Sequence, residues 1–482
     1  MKTILAFCLL LLLWVNAAAG DSFPLSTGYV HLELSFDFTE GSMRGSCHMS
    51  INNHSDSQVS GIPLLLYRLM KVESVRDENG HKLPFSQKVV QMEGSPKQQV
   101  NHIVVNEVLL GGETRSIVIE YSGYLLGYAE TGMRYITDRI SPEFTLIRND
   151  AYAYPVIGKP DVFFLRNHIP FNHYEHSIKI TVPDSLVVAN GGIPLGVEQH
   201  GNGLATYRYR SKIPNWRIDI AIGPYNVLHS ERLNIFYLTD SVAAAALATH
   251  GAKTLALYRD WWGELRNDHT LTIIETERGS GGQADETTIL MPEEAFTVQD
   301  DYSFLYHELS HLWHVSIDEG TGTSPRWEEG LATFCEYLAG ERLFPEREGL
   351  MKRGANRTVS RLKRDFERNP RLTEIPMIEY GNEQLTRYSY IQPMLMFAVL
   401  YHWFGEDTFH SAVGGFYQEY HATRASTRDF TDYWVALTQN DAVSDFFDDW
   451  VYGTGYARLV LQEMSIDEIT GHYAAKSDQG PK

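Results

Sequence analysis

The pattern of apolar residues changes near residue 231, and this change limits the folds open to the chain. Before it, short alternating or β-branched runs such as 30–36 and 116–121 lie between turn clusters, which predicts antiparallel strands. After it, residues 241–262 are rich in Ala and Leu at helical spacing. A chain of 482 residues is also long for a single core. We therefore predict an α+β fold, with an antiparallel β-rich domain over 20–231 and a mainly helical domain over 232–473.

The second half contains one more predicted strand, 271–275, which leads into a glycine-rich turn at 279–282. Most of the chain beyond this turn has the apolar spacing of helices, and residues 474–482 are expected to form a frayed tail. The further predicted helices are 302–316, 326–339, 356–367, 388–404, 407–420 and 442–450.

The first residues have the pattern of a secretory signal peptide. Lys2 precedes an almost wholly apolar run to Val15, and small residues around Ala19 form a cleavage pattern. The run is shorter than the ~20 residues that cross a bilayer, so we expect no membrane span and a secreted or periplasmic protein cleaved after residue 19.

Cysteine content and charge narrow the class of protein further. Beyond the signal peptide only Cys47 and Cys335 remain, which is too few for a disulfide framework, so packed cores must supply the stability. A formal net charge of -20 repels phosphate backbones and anionic lipids. Nucleic acid and membrane surfaces are therefore not expected as partners.

The segment His307-Glu308-Leu309-Ser310-His311 fits the pattern HExxH. On a helix, two imidazoles four residues apart lie on one face and can hold one metal ion, typically zinc. Glu308 would then act as a general base without binding the metal. The alternative is that both histidines are ordinary core residues, so the prediction depends on a third ligand.

A catalytic zinc site uses three protein ligands and keeps one position for water. The metzincin subclass needs a Gly at 314 and a His at 317, but the chain has His314 and Ile317, which excludes that subclass. For His314 we expect a packing role. The next predicted helix offers adjacent carboxylates at Glu328 and Glu329, and one of them would complete a His-His-Glu site.

These segments resemble the gluzincin family of alanyl aminopeptidase (aminopeptidase N) and leukotriene hydrolase, in which HExxH is followed after eighteen residues by the Glu of an N-E-G-F-A segment. The run Glu329-Gly330-Leu331-Ala332 is similar to E-G-F-A, although one residue fewer separates it from His311. Residues 389–395 are similar to the family's S-Y-x-K-G-A-x segment, and 446–456 to the end of its catalytic domain. The β-rich half resembles the family's saddle domain, and the family's large carboxy-terminal helical domain is expected to be absent.

The resemblance implies a thermolysin-like catalytic domain with one zinc ion per chain, held by His307, His311 and Glu329. It also implies that Tyr390 steadies the oxyanion of a tetrahedral intermediate. Glu336 corresponds to the Glu of the family's V-E-Y segment and is expected to orient a ligand imidazole. The alternatives are a packing role for Tyr390 and a structural salt bridge for Glu336.

Aminopeptidases of this family carry a G-A/G-M-E-N segment, whose Glu holds the free amine of the substrate. Here two glycines are followed by Gln283-Ala284-Asp285-Glu286, so the M-E-N core is not matched. Asp285 or Glu286 could substitute for that Glu, and the alternative is that both are plain loop acids. The family's second amine-holding residue falls near Leu146, where the chain has no acid or amide.

The expected function is an exported zinc metallopeptidase that acts on peptides or proteins, with aminopeptidase action implied by the family. One alternative is a zinc endopeptidase, or another peptidase of the same fold that does not hold a free amine. An alternative of another class is a zinc-stabilised binding protein without turnover.

Overall fold

The structure is a computed structural model that describes residues 23–477 except 132, 134, 239, 268, 298–300 and 321. The predicted signal peptide and residues 478–482 of the predicted tail lie outside the described residues.

The first part of the chain forms strands whose side chains alternate between buried and exposed, as in β1. These strands are β1 (Leu25–Asp37), β2 (Ser42–Asn53), β3 (Val59–Tyr67), β4 (Met70–Asp77), β5 (Phe85–Met92), β6 (Ser95–Leu109), β7 (Thr114–Tyr124), β8 (Thr145–Ile147), β9 (Val156–Ile157), β10 (Glu175–Pro183), β11 (Val187–Ala189), β12 (Ile193–Gln199), β13 (Leu204–Arg210) and β14 (Ile220–Gly223). A short helix, α1 (Val162–His168), lies between β9 and β10.

These strands form three sheets around one apolar core. The largest has the order β12-β13-β10-β1-β2-β7-β4, the second β5-β6-β3-β9 and the third β11-β14-β8. Pairing is antiparallel apart from β1 with β10, which run parallel. The predicted antiparallel β-sandwich domain is thereby confirmed.

The second part of the chain begins with a five-stranded sheet of order β15-β16-β17-β19-β18. Its strands are β15 (Asn226–His229), β16 (Leu233–Tyr237), β17 (Leu271–Thr276), β18 (Gln283–Ala284) and β19 (Thr288–Pro292). β17 and β19 are parallel and buried along their whole length, as is typical of parallel strands.

Helices pack against this sheet and against one another. They are α2 (Ser241–Trp262), α3 (Glu294–Thr297), α4 (Ser303–Ser310), α5 (Glu328–Leu343), α6 (Leu350–Arg368), α7 (Thr386–Tyr420), α8 (Thr427–Thr438), α9 (Asp441–Phe447), α10 (Tyr456–Leu461) and α11 (Ile466–Ser477). Within the described ranges, no helix is both long enough and apolar enough to cross a membrane. The helical domain has its own core, and a small third core that includes Phe144, Tyr225 and Phe236 packs between the two domains.

Several predicted helices differ from the observed ones at their ends. The predicted helix 302–316 stops at Ser310, continues as a 3-10 turn over His311–Trp313, and ends because the backbone of His314 is extended. The predicted helices 388–404 and 407–420 correspond to α7, which is interrupted at Gly405 with a φ of 78°. Helices α8, α10 and α11 were not predicted, and α11 covers the first part of the predicted tail.

Candidate metal centre

The two histidines of the HExxH segment and Glu329 converge at the contact between α4 and α5. Their candidate ligand atoms all lie within 4.8 Å of one another. Oε2 of Glu329 is 3.3 Å from Nε2 of His307 and 3.5 Å from Nε2 of His311. Glu328 is not part of this cluster, and its Oε2 is buried without a partner among the described residues. Of the two adjacent carboxylates, Glu329 is thus the one that faces the histidines.

The electrostatics of this cluster favour a bound cation. Burial by itself would lower the pKa of His307, but the carboxylates of Glu329 and Glu336 outweigh it and raise that pKa to about 10. For Glu329, burial would raise the pKa, but the charge of Arg326 and the two imidazoles hold it well below its usual value. The pocket thus stabilises positive charge on the imidazole of His307.

Each imidazole has a partner on the side away from the cluster. Nδ1 of His307 lies 2.8 Å from Oε1 of Glu336, which is about two helical turns beyond Glu329 on α5. Nδ1 of His311 lies 2.9 Å from Nδ1 of His314. Burial, and then the charge of His311, hold the pKa of His314 well below its usual value, so a neutral His314 can accept a hydrogen bond from His311. Such contacts fix the ring orientation and leave Nε2 free for a metal.

Glu308 projects into the same pocket against the glycine-rich turn. It is only 5% exposed. A Cβ atom on Gly282 would lie 2.1 Å from Oε1 of Glu308, so the carboxylate occupies the space that any other residue at 282 would fill. Burial raises the pKa of Glu308, while the two histidines oppose that shift. The glycine identified in the sequence as part of a turn therefore makes room for the predicted general base.

The α5–α7 contact brings Tyr390 beside the histidines. A Cβ on Gly330 would lie 2.5 Å from Cβ of Pro393, so the two helices approach as closely as the glycine allows. The ring of Tyr390 stacks on that of His307, with centroids 5.9 Å apart and an interplanar angle of 14°. Burial, and then the charge of Glu329, raise the pKa of Tyr390, so its hydroxyl stays protonated near neutral pH.

Arg326 lies at the rim of the cluster, and nothing in the sequence pattern pointed to it. It lies two residues before α5 and has a φ of 57°, a left-handed conformation that is uncommon for a residue with a side chain. Its guanidinium pairs with Oε1 of Glu329. Oγ of Ser389, near the start of α7, donates a hydrogen bond of 2.6 Å to the carbonyl of Pro325. This bond anchors the turn before α5 to α7.

The two acids considered for the substrate amine have other partners. Oδ1 of Asp285 accepts bonds from the backbone N–H groups of Thr287 and Thr288, at 2.6 and 2.8 Å. Oε2 of the exposed Glu286 accepts a bond of 2.7 Å from Asn267. The carboxylate of Asp285 therefore stabilises its own turn, and that of Glu286 joins this turn to the loop that precedes β17.

The donor set fits a zinc ion. Two imidazole nitrogens and one carboxylate oxygen within 4.8 Å of one another match a three-ligand zinc site, and all three residues are buried or half-buried. The contacts to Glu336 and His314 supply the outer partners that metal-binding imidazoles require.

Comparison with known proteins agrees with this geometry. Residues 284–450 match the Peptidase family M1 domain. The chain is 22% identical over 304 residues to "Aminopeptidase M1" of Arabidopsis thaliana, a match that covers 58% of this chain and 34% of the relative. It is 21% identical over 331 residues to "Aminopeptidase M1-D" of Oryza sativa subsp. japonica, covering 63% and 37%. The chain thus spans about a third of the length of these curated relatives.

The whole fold also matches solved structures. The M1 zinc metallopeptidase from Deinococcus radiodurans superposes with a TM-score of 0.64 at 16% identity, over 90% of this chain and 95% of that one. A mutant of the same enzyme bound to a Tyr-Ser-Ala substrate gives a TM-score of 0.64 over 89% and 94%. The matched domain, the curated relatives and the shared fold agree with one another: residues 284–450 match the Peptidase family M1 domain, and the chain is similar to the gluzincin family of aminopeptidase N.

Proposed function

We propose that the protein is a zinc metallopeptidase that hydrolyses peptide bonds and acts as an aminopeptidase. The observation that carries the proposal is the convergence of His307, His311 and Glu329, with the buried carboxylate of Glu308 held beside them by Gly282. One zinc ion per chain would be held by the first three residues. When bound, zinc supplies the Lewis acidity that peptide hydrolysis near neutral pH requires.

Glu308 carries the proton transfers in this proposal. Its carboxylate takes a proton from the attacking water and delivers it to the amine that leaves. Two features support this role: it does not belong to the ligand cluster, and its raised pKa makes it a better proton acceptor than an exposed glutamate. The close approach of Gly282 restricts where the carboxylate can lie, which favours a defined position for the transfer.

Tyr390 stabilises the carbonyl oxygen as negative charge develops on it. Its raised pKa keeps a proton on the hydroxyl, which can therefore donate a hydrogen bond. The stacking of its ring on that of His307 supports a fixed position beside the metal ligands. A preorganised donor of this kind contributes about 3 kcal/mol to transition-state stabilisation.

Glu336 holds a ligand in place in this proposal and does not touch the substrate. The 2.8 Å contact with Nδ1 of His307 supports a role in fixing the orientation of that imidazole. A carboxylate at this point also raises the basicity of the ligand nitrogen, which strengthens metal binding.

The curated relatives support the proposed preference of this protein for a free amino terminus, because they are named as aminopeptidases. Asp285 and Glu286 are the sequence-based candidates for holding the amine, but the carboxylate of Asp285 bonds within its own turn and that of Glu286 bonds to Asn267. A zinc endopeptidase is therefore the second candidate function.

For the location, the signal-like segment at residues 1–19 supports export to a secreted or periplasmic state.

Matched peptides with free and acetylated amino termini separate the candidate functions. The zinc-loaded protein is expected to cleave the free peptide at least about tenfold faster, because recognition of a charged amine is worth a charge-assisted hydrogen bond or more. Equal cleavage of both peptides would favour the endopeptidase. Cleavage of neither peptide would favour a binding protein.

The mechanism has its own test in the variant Glu308→Gln, which keeps the shape of the side chain and removes its basicity. We expect zinc content to be unchanged and kcat to fall by several orders of magnitude. Turnover near the wild-type rate in the zinc-loaded variant would contradict the role of Glu308.

A further inference from the structure

Arginines form a row along one face of α6. They follow one another at intervals of three or four residues, and they are Arg353, Arg357, Arg361, Arg364 and Arg368. At about 100° per residue the row lies within an arc of roughly 80°, and at 1.5 Å per residue it covers about 22 Å of the helix. All of these arginines are exposed. We call this row the arginine stripe.

The inner face of α6 determines which way the stripe points. Met351, Val359, Leu362 and Phe366 are buried in the core of the helical domain. Rotation of an amphipathic helix about its axis would bring such side chains into water, which costs free energy. The arginine stripe is therefore held at the surface by the packing of the opposite face.

Most of the stripe has no acidic partner within the protein. In the described part of the chain, no carboxylate lies within ion-pair distance of Arg357, Arg361, Arg364 or Arg368. The lysines of the same helix differ, because Nζ of Lys352 lies 2.6 Å from Asp467 and Nζ of Lys363 lies 2.7 Å from Glu463. The acids that approach α6 from the end of the chain are thus paired with its lysines, which lie outside the stripe.

A row of like charges is unfavourable in the protein alone. Cations three or four residues apart on a helix repel one another. The exposed Glu367 lies next to the stripe on α6, but its carboxylate is not within ion-pair distance of any arginine there. The whole chain has a formal net charge of -20, so a wholly cationic row is a local exception. An anionic partner would remove the repulsion within this row.

The spacing of the stripe favours an extended acidic peptide as that partner. Residues four apart on a helix lie about 6 Å apart along its axis. In an extended peptide, side chains on the same face are two residues apart, or about 6.6 Å. Asp or Glu at every second position therefore presents one carboxylate to each guanidinium. Guanidinium groups bind carboxylates through charge-assisted hydrogen bonds.

Other anionic partners match the stripe less well. Proteins bind single-stranded nucleic acid through aromatic side chains on which the bases stack, but the one aromatic residue of α6, Phe366, is buried. A lipid surface takes up the apolar face of an amphipathic helix, and that face of α6 is in the core. A membrane is also broad enough to meet Glu463 and Asp467, which would repel its anionic lipids. An extended peptide is narrow enough to contact the stripe alone.

We propose that the arginine stripe is a docking surface for an acidic polypeptide segment, in which Asp or Glu recurs at every second residue. The segment lies extended along α6, and its carboxylates supply the anions that the arginines lack within the protein. Docking here goes beyond the proposed peptidase function and does not depend on it, because no residue of the stripe belongs to the metal-ligand cluster.

The first test compares two peptides of the same composition, each with five Glu and four Ser, a fluorescein at the amino end and an amide at the carboxy end. Glu alternates with Ser in one peptide, and the Glu residues are consecutive in the other. Binding to the full-length Glu308→Gln variant is measured by fluorescence anisotropy at low salt, so that turnover does not interfere. The alternating peptide is expected to bind about fivefold tighter, because only three of five consecutive carboxylates can face the stripe. Equal affinities would overturn the proposed spacing.

The second test removes part of the stripe. Arg357→Gln together with Arg364→Gln is expected to weaken binding of the alternating peptide about tenfold, the loss of two ion pairs. The matched control, Arg44→Gln with Arg76→Gln, removes the same charge from exposed positions on β2 and β4 and should change the affinity by less than about twofold. All four positions are exposed, so the melting temperature should be unchanged in both variants. Equal weakening by the two pairs would overturn the proposal, because net charge alone would then explain binding.

Further probes identify other occupants of the same surface. Vesicles of phosphatidylserine and phosphatidylcholine in equal parts, or a single-stranded thymidine oligonucleotide, may not bind more tightly than the alternating peptide in a way that depends on Arg357 and Arg364. Such binding would assign the stripe to a lipid or a nucleic acid and overturn the proposal. Sedimentation of the unlabelled protein tests a second copy of the chain, and a dimer that is lost in the stripe variant would also overturn it. Every result is an affinity or a mass, so failure of the proposed peptidase function would leave this proposal standing.

Discussion

Substitution of Gly282 by alanine tests whether the position of the Glu308 carboxylate controls turnover. The new Cβ would lie 2.1 Å from Oε1 and 2.8 Å from Cδ of Glu308. Non-bonded contacts between heavy atoms settle near about 3.5 Å, so Oε1 must move by more than about 1 Å. A displacement of that size in a reacting group lowers the rate on the order of 100-fold, or about 2.7 kcal/mol in activation free energy.

The same geometry predicts that the fold and the metal site survive the change. The atoms that must move are at the end of one flexible side chain, so we expect the melting temperature to change little. Glu308 does not belong to the ligand cluster, so zinc content should stay at the wild-type level. The matched control is Gly471→Ala on α11, where an added Cβ has no atom within 4 Å.

The assay is kcat/KM on a free-amine peptide, measured together with zinc content and thermal unfolding for both variants. The double variant of Gly282→Ala with Glu308→Gln should be no slower than Glu308→Gln alone, because both changes act through one carboxylate. If Gly282→Ala keeps kcat/KM within about twofold of the wild type, the reasoning on Glu308 is refuted, since a 1 Å shift should cost far more.

Three other predictions concern separate parts of the structure. Glu336→Gln removes the charge that orients His307, so the zinc dissociation constant should rise about 10- to 100-fold in a chelator competition, and an unchanged constant would remove Glu336 from the site. Gly330→Ala places a Cβ 2.5 Å from Cβ of Pro393 between α5 and α7, which should lower the free energy of unfolding in urea by about 1–3 kcal/mol; full stability would show that these helices can separate freely. Burial lowers the pKa of His176 from 6.5 to about 4, so the unfolded chain takes up this proton first as pH falls, and the stability from the neutral ring is complete above about pH 6.5 and declines toward pH 4. His176→Phe should therefore lose about 2 kcal/mol less stability than the wild type between pH 7 and pH 5, and identical pH profiles would contradict the shift.

The part of the site whose residues lie close together in the sequence could be predicted. Two histidines four residues apart on a helix must share a face, so their approach follows from helix geometry alone. The choice of Glu329 over Glu328 came from the resemblance to the gluzincin family, and in the structure Glu329 is the one that faces the histidines. The fold class was predictable for the same reason. Apolar residues recur every two residues in strands and every 3.6 residues in helices, and both patterns can be recognised within a short stretch of sequence.

Contacts between distant segments could not be predicted in this way. The parallel pairing of β1 with β10 and the meeting of α1 with the loop before Arg326 join segments far apart in the chain. The contact between Gly282 and Glu308 is of the same kind, because a glycine gives no sign of what occupies the space beside it. Helix α8, by contrast, has a local signal in the sequence, because Ser426 and Asp429 form a capping box at its start.

The most direct test of the metal centre is the zinc content and zinc affinity of the wild-type chain beside His307→Ala and Glu329→Ala. The convergence of these side chains with His311 predicts one tightly bound zinc ion per wild-type chain and a large loss of affinity in both variants. A wild-type chain that binds no zinc when it is supplied, or a Glu329→Ala variant with undiminished affinity, would contradict the assignment.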